Sequence, residues 1–217
     1  GCWSECLSFG SAKPAADFIL NQQQELRQRN SSETCNIELS QPGLFNAMNA
    51  CAAMIAARHV GVPFPVSLEA LRPYKGVKRR QEVIADIGGV RIIDDFAHHP
   101  TAIALTLEAL KPATGGRLIA VLELRSNTMK MGIHADQIAT SLSAADQVLL
   151  CDDATLDWDL HGLAQAASTT VLIKSDIDEI INHLVKDCRP DDQVVIMSNG
   201  GFANIHQRLI SAMQSRA

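Results

Sequence analysis

From residue 82 onward the chain alternates short apolar runs with segments of helical spacing. EVIADIGGVRIIDD (82–95) reads as two strands joined at Gly88-Gly89, a two-residue hairpin signal. After Pro100 the spacing of Ile103, Leu107 and Leu110 predicts a helix with those residues inward. RLIAVLEL (117–124) is a continuous apolar run, as a strand covered on both faces requires. A helix through HADQIATSLSAA, the strand QVLLC, a helix around LHGLAQAA and the strand TTVLIK follow. The helix DIDEIINHLVKDC, the strand DQVVIMS and a last helix close the pattern. Strands that alternate with helices predict a doubly wound α/β fold with a mostly parallel sheet.

Upstream the pattern is weaker. PGLFNAMNACAAMIAARHVG (42–61) predicts one helix, with Leu44, Met48, Cys51 and Ile55 as its stripe. Pro42 opens it and Gly61 can close it. Before it lie short polar segments such as NQQQELRQRNSSE. One helix and a few short strands do not close a core. Residues 1–65 therefore read as the end of a domain whose start precedes Gly1, and residues 66–217 as a complete domain, divided at GVPFP.

Composition changes this picture little. Hydrophobic residues make up 47% of 217 and charged residues 20%, a globular balance. A net charge of −5 gives no reason to expect nucleic acid or an anionic membrane as partner. The six cysteines form no CxxC pair and fall mostly in apolar runs, as reduced core residues of a cytoplasmic protein do. The opening residues do not resemble a secretory leader, and no apolar run reaches membrane-spanning length.

Candidate chemistry sits at strand ends. In a parallel sheet, ligands bind beyond the carboxyl ends of the strands. DDFAHHP (94–100) follows one strand, LRSNTMKMG (124–132) a second and SNGG (198–201) a third. If those strands are neighbours, the loops converge on one rim. DDFAHHP on its own suits an acid/base pair, a nucleotide clamp or a plain strand-to-helix junction. A metal is disfavoured, because adjacent histidines project differently and no third ligand is set by spacing. Arg125, Ser126 and Asn127 offer a planar fork and several donors suited to carboxylates. SNGG places backbone N–H groups before a helix start, which favours anions. Lys78, Arg79 and Arg80 are either a solvated basic cluster or phosphate and ribose contacts. Asn46 and Asn49, three apart, share a helical face. The 217 residues contain no GxxxxGK[ST] and no GxGxxG motif.

Five stretches together, PGLFNAMNACAAMIAARHVGV, YKGVKRRQEV, IDDFAHHPTAI, VLELRSNTMKMGIH and MSNGGFANIHQRL, resemble the Mur ligase superfamily in order and spacing. The resemblance implies the end of a central ATPase domain followed by a Rossmann-like C-terminal domain. It implies an ATP-dependent amide ligase of peptidoglycan recycling. The carboxylate of UDP-N-acetylmuramate is phosphorylated, and the amine of the tripeptide L-Ala-γ-D-Glu-meso-diaminopimelate displaces phosphate. Mg2+ would balance phosphate charge, with its main ligands outside this chain. By position, Asn46 and Asn49 match adenine contacts, Arg80 a ribose and phosphate contact, and Asp95 a ribose contact. His98 and Arg125 match residues that meet the incoming amine substrate, with His98 the catalytic candidate. Ser126, Asn127, Ser198 and Asn199 fall in the peptide-binding loops. The alternatives are the ligase that joins L-alanine to UDP-N-acetylmuramate, and a non-catalytic module that binds peptide or nucleotide. Four positions depart from the family pattern. Phe45 stands in place of His and Leu124 in place of Pro. Ala203-Asn204 replaces a glycine pair, and Thr128 replaces an Arg of the alanine ligase.

Overall fold

A computed structural model of the chain describes residues 3–11, 14–125, 131–132, 135–152, 156 and 158–216. The chain divides into two compact units, Gly1–Gly76 and Val77–Ala217.

The first unit holds a four-stranded sheet of β1 (Phe9–Gly10), β2 (Phe18–Leu20), β3 (Glu25–Gln28) and β4 (Thr34–Asn36), in that order. Two helices follow, α1 (Leu44–His59) and α2 (Phe64–Leu71). Against expectation, these short elements gather a buried cluster of their own, including Phe18, Leu20, Leu26, Ile37, Cys51, Met54 and Phe64. The expected α1 stripe is rotated. Leu44 is 41% exposed, and the buried face is Ala47, Ala50, Cys51, Met54 and Ile55. Alanines let a helix approach a sheet closely, so volume alone does not mark the inward face. The division also lies after Gly76 rather than after Pro65. Phe64 and Pro65 open α2, where Phe64 is buried edge-to-face on Phe18 at 6.0 Å and beneath the Arg58 guanidinium at 4.4 Å.

The second unit is a six-stranded sheet. Its strands are β5 (Glu82–Ile87), β6 (Val90–Asp95), β7 (Leu118–Leu122), β8 (Gln147–Cys151), β9 (Thr170–Lys174) and β10 (Gln193–Met197). The spatial order is β5-β6-β10-β7-β8-β9, and only the β5–β6 pair is antiparallel. Gly88 and Gly89 both have positive φ, 59° and 80°, as a two-residue turn matched to strand twist requires. The helices are α3 (Pro100–Leu110), α4 (Ala135–Ser141), α5 (Leu160–Ala166), α6 (Ile177–Asp187) and α7 (Ile205–Arg216).

Alternation along the strands splits the core between the two faces. Ile93, Ala120, Leu122, Val148 and Val195 pack with Leu107 of α3, Ile138 of α4 and Leu163 of α5. Their neighbours Ile92, Val121, Leu149, Val194 and Ile196 pack with Ile180 and Leu184 of α6 and Leu209 of α7. Leu124, at the family's proline position, is buried in the first of these clusters. At the amino ends of the strands Arg117 pairs with Asp187 at 2.7 Å and with buried Asp192 at 2.6 Å. Burial opposes the Asp192 charge, yet the Arg117 side chain and the N–H groups of Arg117 and Arg189 outweigh it and hold the carboxyl below its ordinary value. Among the described residues no helix is long and apolar enough to cross a membrane.

Between β10 and α7 the backbone is strained. Phe202, Ala203 and Asn204 have φ of 42°, 45° and 58°, a left-handed run without glycine. Phe202 is buried in the core and anchors the turn. The residues that replace the family's glycine pair thus occupy the conformation glycine adopts most freely. Ala203→Gly is expected to stabilise the chain by about 0.5–1 kcal/mol, raising Tm by roughly 1–4 °C. Thermal unfolding of the two proteins side by side checks this; an unchanged or lower Tm would show that the turn is not strained.

Candidate functional site

Strand β10 lies between β6 and β7, and the register sets Met197 beside both Asp95 and Leu122. The three polar loops therefore leave adjacent strands at one level. Backbone bonds continue past the strand ends. The Ser198 N–H donates to the Asp95 carbonyl at 3.1 Å, and the Glu123 N–H to the Met197 carbonyl at 3.0 Å.

Asp95 is 2% exposed. Its Oδ2 accepts from the Gln81 N–H at 2.8 Å and its Oδ1 from the Ala97 N–H at 2.7 Å, with Thr106 Oγ1 at 3.4 Å. Burial pushes the carboxyl above its usual value, against the two backbone bonds and the charge of Arg80. Gln81 and Arg79 have φ of 50° and 59°. In this arrangement the carboxylate pins a left-handed segment at the entrance to β5, and both of its oxygens are engaged within the protein.

Asp94 points into a different set. Arg79 Nε lies 3.3 Å from its Oδ2 and His206 Nε2 3.1 Å from its Oδ1. Burial works against the Asp94 charge, but His206 and Arg79 prevail and hold the carboxyl below its ordinary value. Arg79 Nη2 also donates to the carbonyls of Ser198, at 2.8 Å, and Gly200, at 3.1 Å. Arg79 therefore clamps the SNGG loop to the β6 end. The guanidinium carbons of Arg79 and Arg80 each lie 5.3 Å from the Phe96 ring centroid. Arg80 is exposed, so its donors face solvent.

His98 packs edge-to-face on Phe96 at 5.3 Å, with Nδ1 2.8 Å from the Phe96 carbonyl oxygen. A carbonyl only accepts, so Nδ1 carries the proton and the neutral ring keeps its lone pair on Nε2.

The third loop divides its labour. Ser198 is fully buried; its hydroxyl donates to the Glu123 carboxylate and accepts from the Gly200 N–H at 2.8 Å. Expected to meet peptide, Ser198 is in this structure an internal brace between two loops. Asn199 is half-exposed, and its buried Oδ1 has no hydrogen-bond partner among the described residues. Arg125 is exposed and lies over Gly200, where an added Cβ would stand 2.2 Å from its Nη1.

The remaining expected residues fall elsewhere. Ser126 and Asn127 lie outside the described residues. Asn46 and Asn49 are on α1 of the first unit; Asn46 Nδ2 donates to the Pro42 carbonyl at 2.7 Å, and Asn49 is exposed. Among the described residues no group of three or more His, Cys, Asp or Glu could hold a metal ion. Two rim residues, Glu123 and His206, were not singled out from the sequence, and Asp94 was read only as part of the DDFAHHP stretch; no spacing signal separates them from solvated charges.

The family described as Mur ligase, glutamate ligase domain, matches residues 79–200. The chain belongs to the Mur ligase family. Members of the family are ATP-dependent ligases that form C–N bonds. The UDP-N-acetylmuramate–L-alanyl-γ-D-glutamyl-meso-2,6-diaminoheptandioate ligase of Escherichia coli K12 is 43% identical over 83% of this chain and 40% of its own length. The UDP-N-acetylmuramate–L-alanine ligase of Symbiobacterium thermophilum is 32% identical over 83% of this chain and 40% of its own. A crystal structure of a murein peptide ligase from Psychrobacter arcticus superposes with a TM-score of 0.68 at 36% identity, over 96% of this chain and 46% of that one. The chain thus spans less than half the length of these Mur ligases.

The geometry of Asp95 in this Mur ligase chain makes a stability prediction. In Asp95→Asn the carboxamide nitrogen faces a backbone donor, leaving one N–H buried without an acceptor. The substitution is expected to cost about 2–3 kcal/mol of folding free energy. Denaturant unfolding measures it; a cost below about 0.5 kcal/mol would show that the carboxylate does not pin the segment.

Proposed function

We propose that this chain carries the peptide-accepting rim of an ATP-dependent ligase that joins L-Ala-γ-D-Glu-meso-diaminopimelate to UDP-N-acetylmuramate. The observation that supports it most is Arg125. Its guanidinium stands at the convergence of three strand ends, exposed, with no acceptor among the described residues. The peptide carries several carboxylates, and a guanidinium fork meets one in two parallel hydrogen bonds. The higher identity to the tripeptide ligase than to the alanine ligase favours the larger substrate.

On this reading the muramate carboxylate is first phosphorylated by ATP. The peptide amine then attacks the acyl carbon, the C–N bond forms and phosphate leaves. The amine arrives as an ammonium ion and must lose a proton before it attacks. On this reading His98 takes it at Nε2, the nitrogen left with a lone pair when Nδ1 donates to the Phe96 carbonyl. Arg80, stacked on Phe96, offers outward donors to ribose or phosphate, and Asn46 and Asn49 serve the adenine. Asp95 supports that side by holding the Arg79–Gln81 segment in place. ATP phosphates are cradled by residues other than these 217, which contain no GxxxxGK[ST] motif. Mg2+ screens the phosphate charge when bound.

The test is steady-state kinetics of the full-length enzyme with each substrate varied in turn. Loss of a desolvated bidentate contact costs about 2–4 kcal/mol, so Arg125→Ala should lower kcat/KM for tripeptide roughly thirty- to a thousandfold. Arg125→Lys should be nearly as damaging, because a point charge cannot reproduce the fork. KM for ATP should hold. Wild-type peptide kinetics in Arg125→Lys would overturn the bidentate contact. A defect confined to ATP would move Arg125 to the nucleotide, and turnover of L-alanine in place of tripeptide would favour the alanine ligase.

A further inference from the structure

SNGG contains two adjacent glycines, and the structure treats them differently. Neither Gly200 nor Gly201 has positive φ, so neither backbone conformation excludes a side chain. At Gly201 an added Cβ would meet nothing within 4 Å. At Gly200 it would stand 2.2 Å from Arg125 Nη1, 2.9 Å from Cδ and 3.0 Å from Cζ. The second glycine is therefore free to vary on steric grounds. The first leaves room for one named side chain.

The surroundings fix which partner must yield. The Gly200 N–H is held by Ser198 Oγ at 2.8 Å, and its carbonyl accepts from Arg79 Nη2 at 3.1 Å. Arg79 is itself anchored on Asp94, and Ser198 on Glu123. The loop backbone is thus tied on both sides of Gly200, whereas the exposed Arg125 guanidinium has no hydrogen bond to any of the described residues. An alanine methyl at 200 displaces the arginine and leaves the loop in place.

We propose that Gly200 is a positioning residue for Arg125: its bare Cα is the surface on which the guanidinium lies, and it sets where the fork presents its donors to a substrate carboxylate. The inference rests on the reading of Arg125 as the carboxylate-binding group. Gly200 touches no substrate; it acts through Arg125.

Two measurements test it. The first needs no substrate. In the 217-residue chain, the Arg125 side-chain N–H resonance is assigned by its loss in Arg125→Lys. It should shift in Gly200→Ala and stay at the wild-type position in Gly201→Ala, with both variants folded by their backbone spectra. An unmoved resonance in Gly200→Ala overturns the proposal, as does an equal shift in both variants. The second is kinetic, in the full-length enzyme. Gly200→Ala should raise KM for tripeptide about tenfold or more, with KM for ATP unchanged. Gly200→Ala combined with Arg125→Ala should be no worse than Arg125→Ala alone, because the two act on one contact. Additive losses overturn the positioning role. A displaced resonance with wild-type peptide kinetics, in Gly200→Ala and in Arg125→Ala alike, instead overturns the carboxylate-binding reading on which the proposal stands.

Discussion

The parallel pairing of β10 with β6 on one side and β7 on the other is the constraint from which the rim follows. All five residues of β10 and of β7 are buried. Buried backbone N–H and C=O groups must be paired, so a central strand cannot slip against its neighbours without stranding them. The register that satisfies this pairing ends three strands level, at Asp95, Leu122 and Met197. The loops that follow cannot avoid one another. Bonds from Ser198 N–H to Asp95 O and from Glu123 N–H to Met197 O extend the same ladder beyond the strand ends. The precision of the rim is inherited from sheet pairing rather than built by the loops.

Much of this was legible in the sequence, and the limits have physical causes. The hairpin at Gly88-Gly89, the α3 start at Pro100 and the parallel strands were readable because each rests on local rules of turn, cap and period. That strands separated by about a hundred residues would be neighbours was a conditional inference, since pairing order is a tertiary outcome. The rotated stripe of α1 was missed because Ala47 and Ala50 bury faces that volume-based patterns assign to Leu44. The cluster in the first unit was missed because strands of two to four residues carry almost no period.

Within the rim, the loops singled out from the sequence leave adjacent strand ends, and two of their polar residues turn inward. Ser198 and Asp95 are polar residues in ligand-facing loops, and such residues are ordinarily read as contacts. Here both are buried and spend their acceptors on backbone N–H groups. A polar side chain can shape a loop or serve a ligand, and composition does not distinguish the two. Burial does, because a buried carboxylate that accepts from two N–H groups has already been desolvated in exchange for those bonds.

The arginines show the same division most clearly. Arg79 and Arg125 flank one glycine loop in a chain whose net charge is −5. Arg79 gives its Nη2 to two carbonyls and sets its Nε against Asp94, so much of its donor capacity is used within the fold. Its charge is balanced locally by a carboxylate held below its ordinary value. Arg125 has the opposite character: exposed, without an acceptor among the described residues, and placed by contact rather than by hydrogen bonds. An arginine already paired could bind a substrate carboxylate only by breaking existing bonds, which would cancel most of the gain. On the proposed reading the two tasks are separate: Arg79 ties the loop through its hydrogen bonds, and Arg125, with no acceptor among the described residues, keeps its donors for a substrate carboxylate.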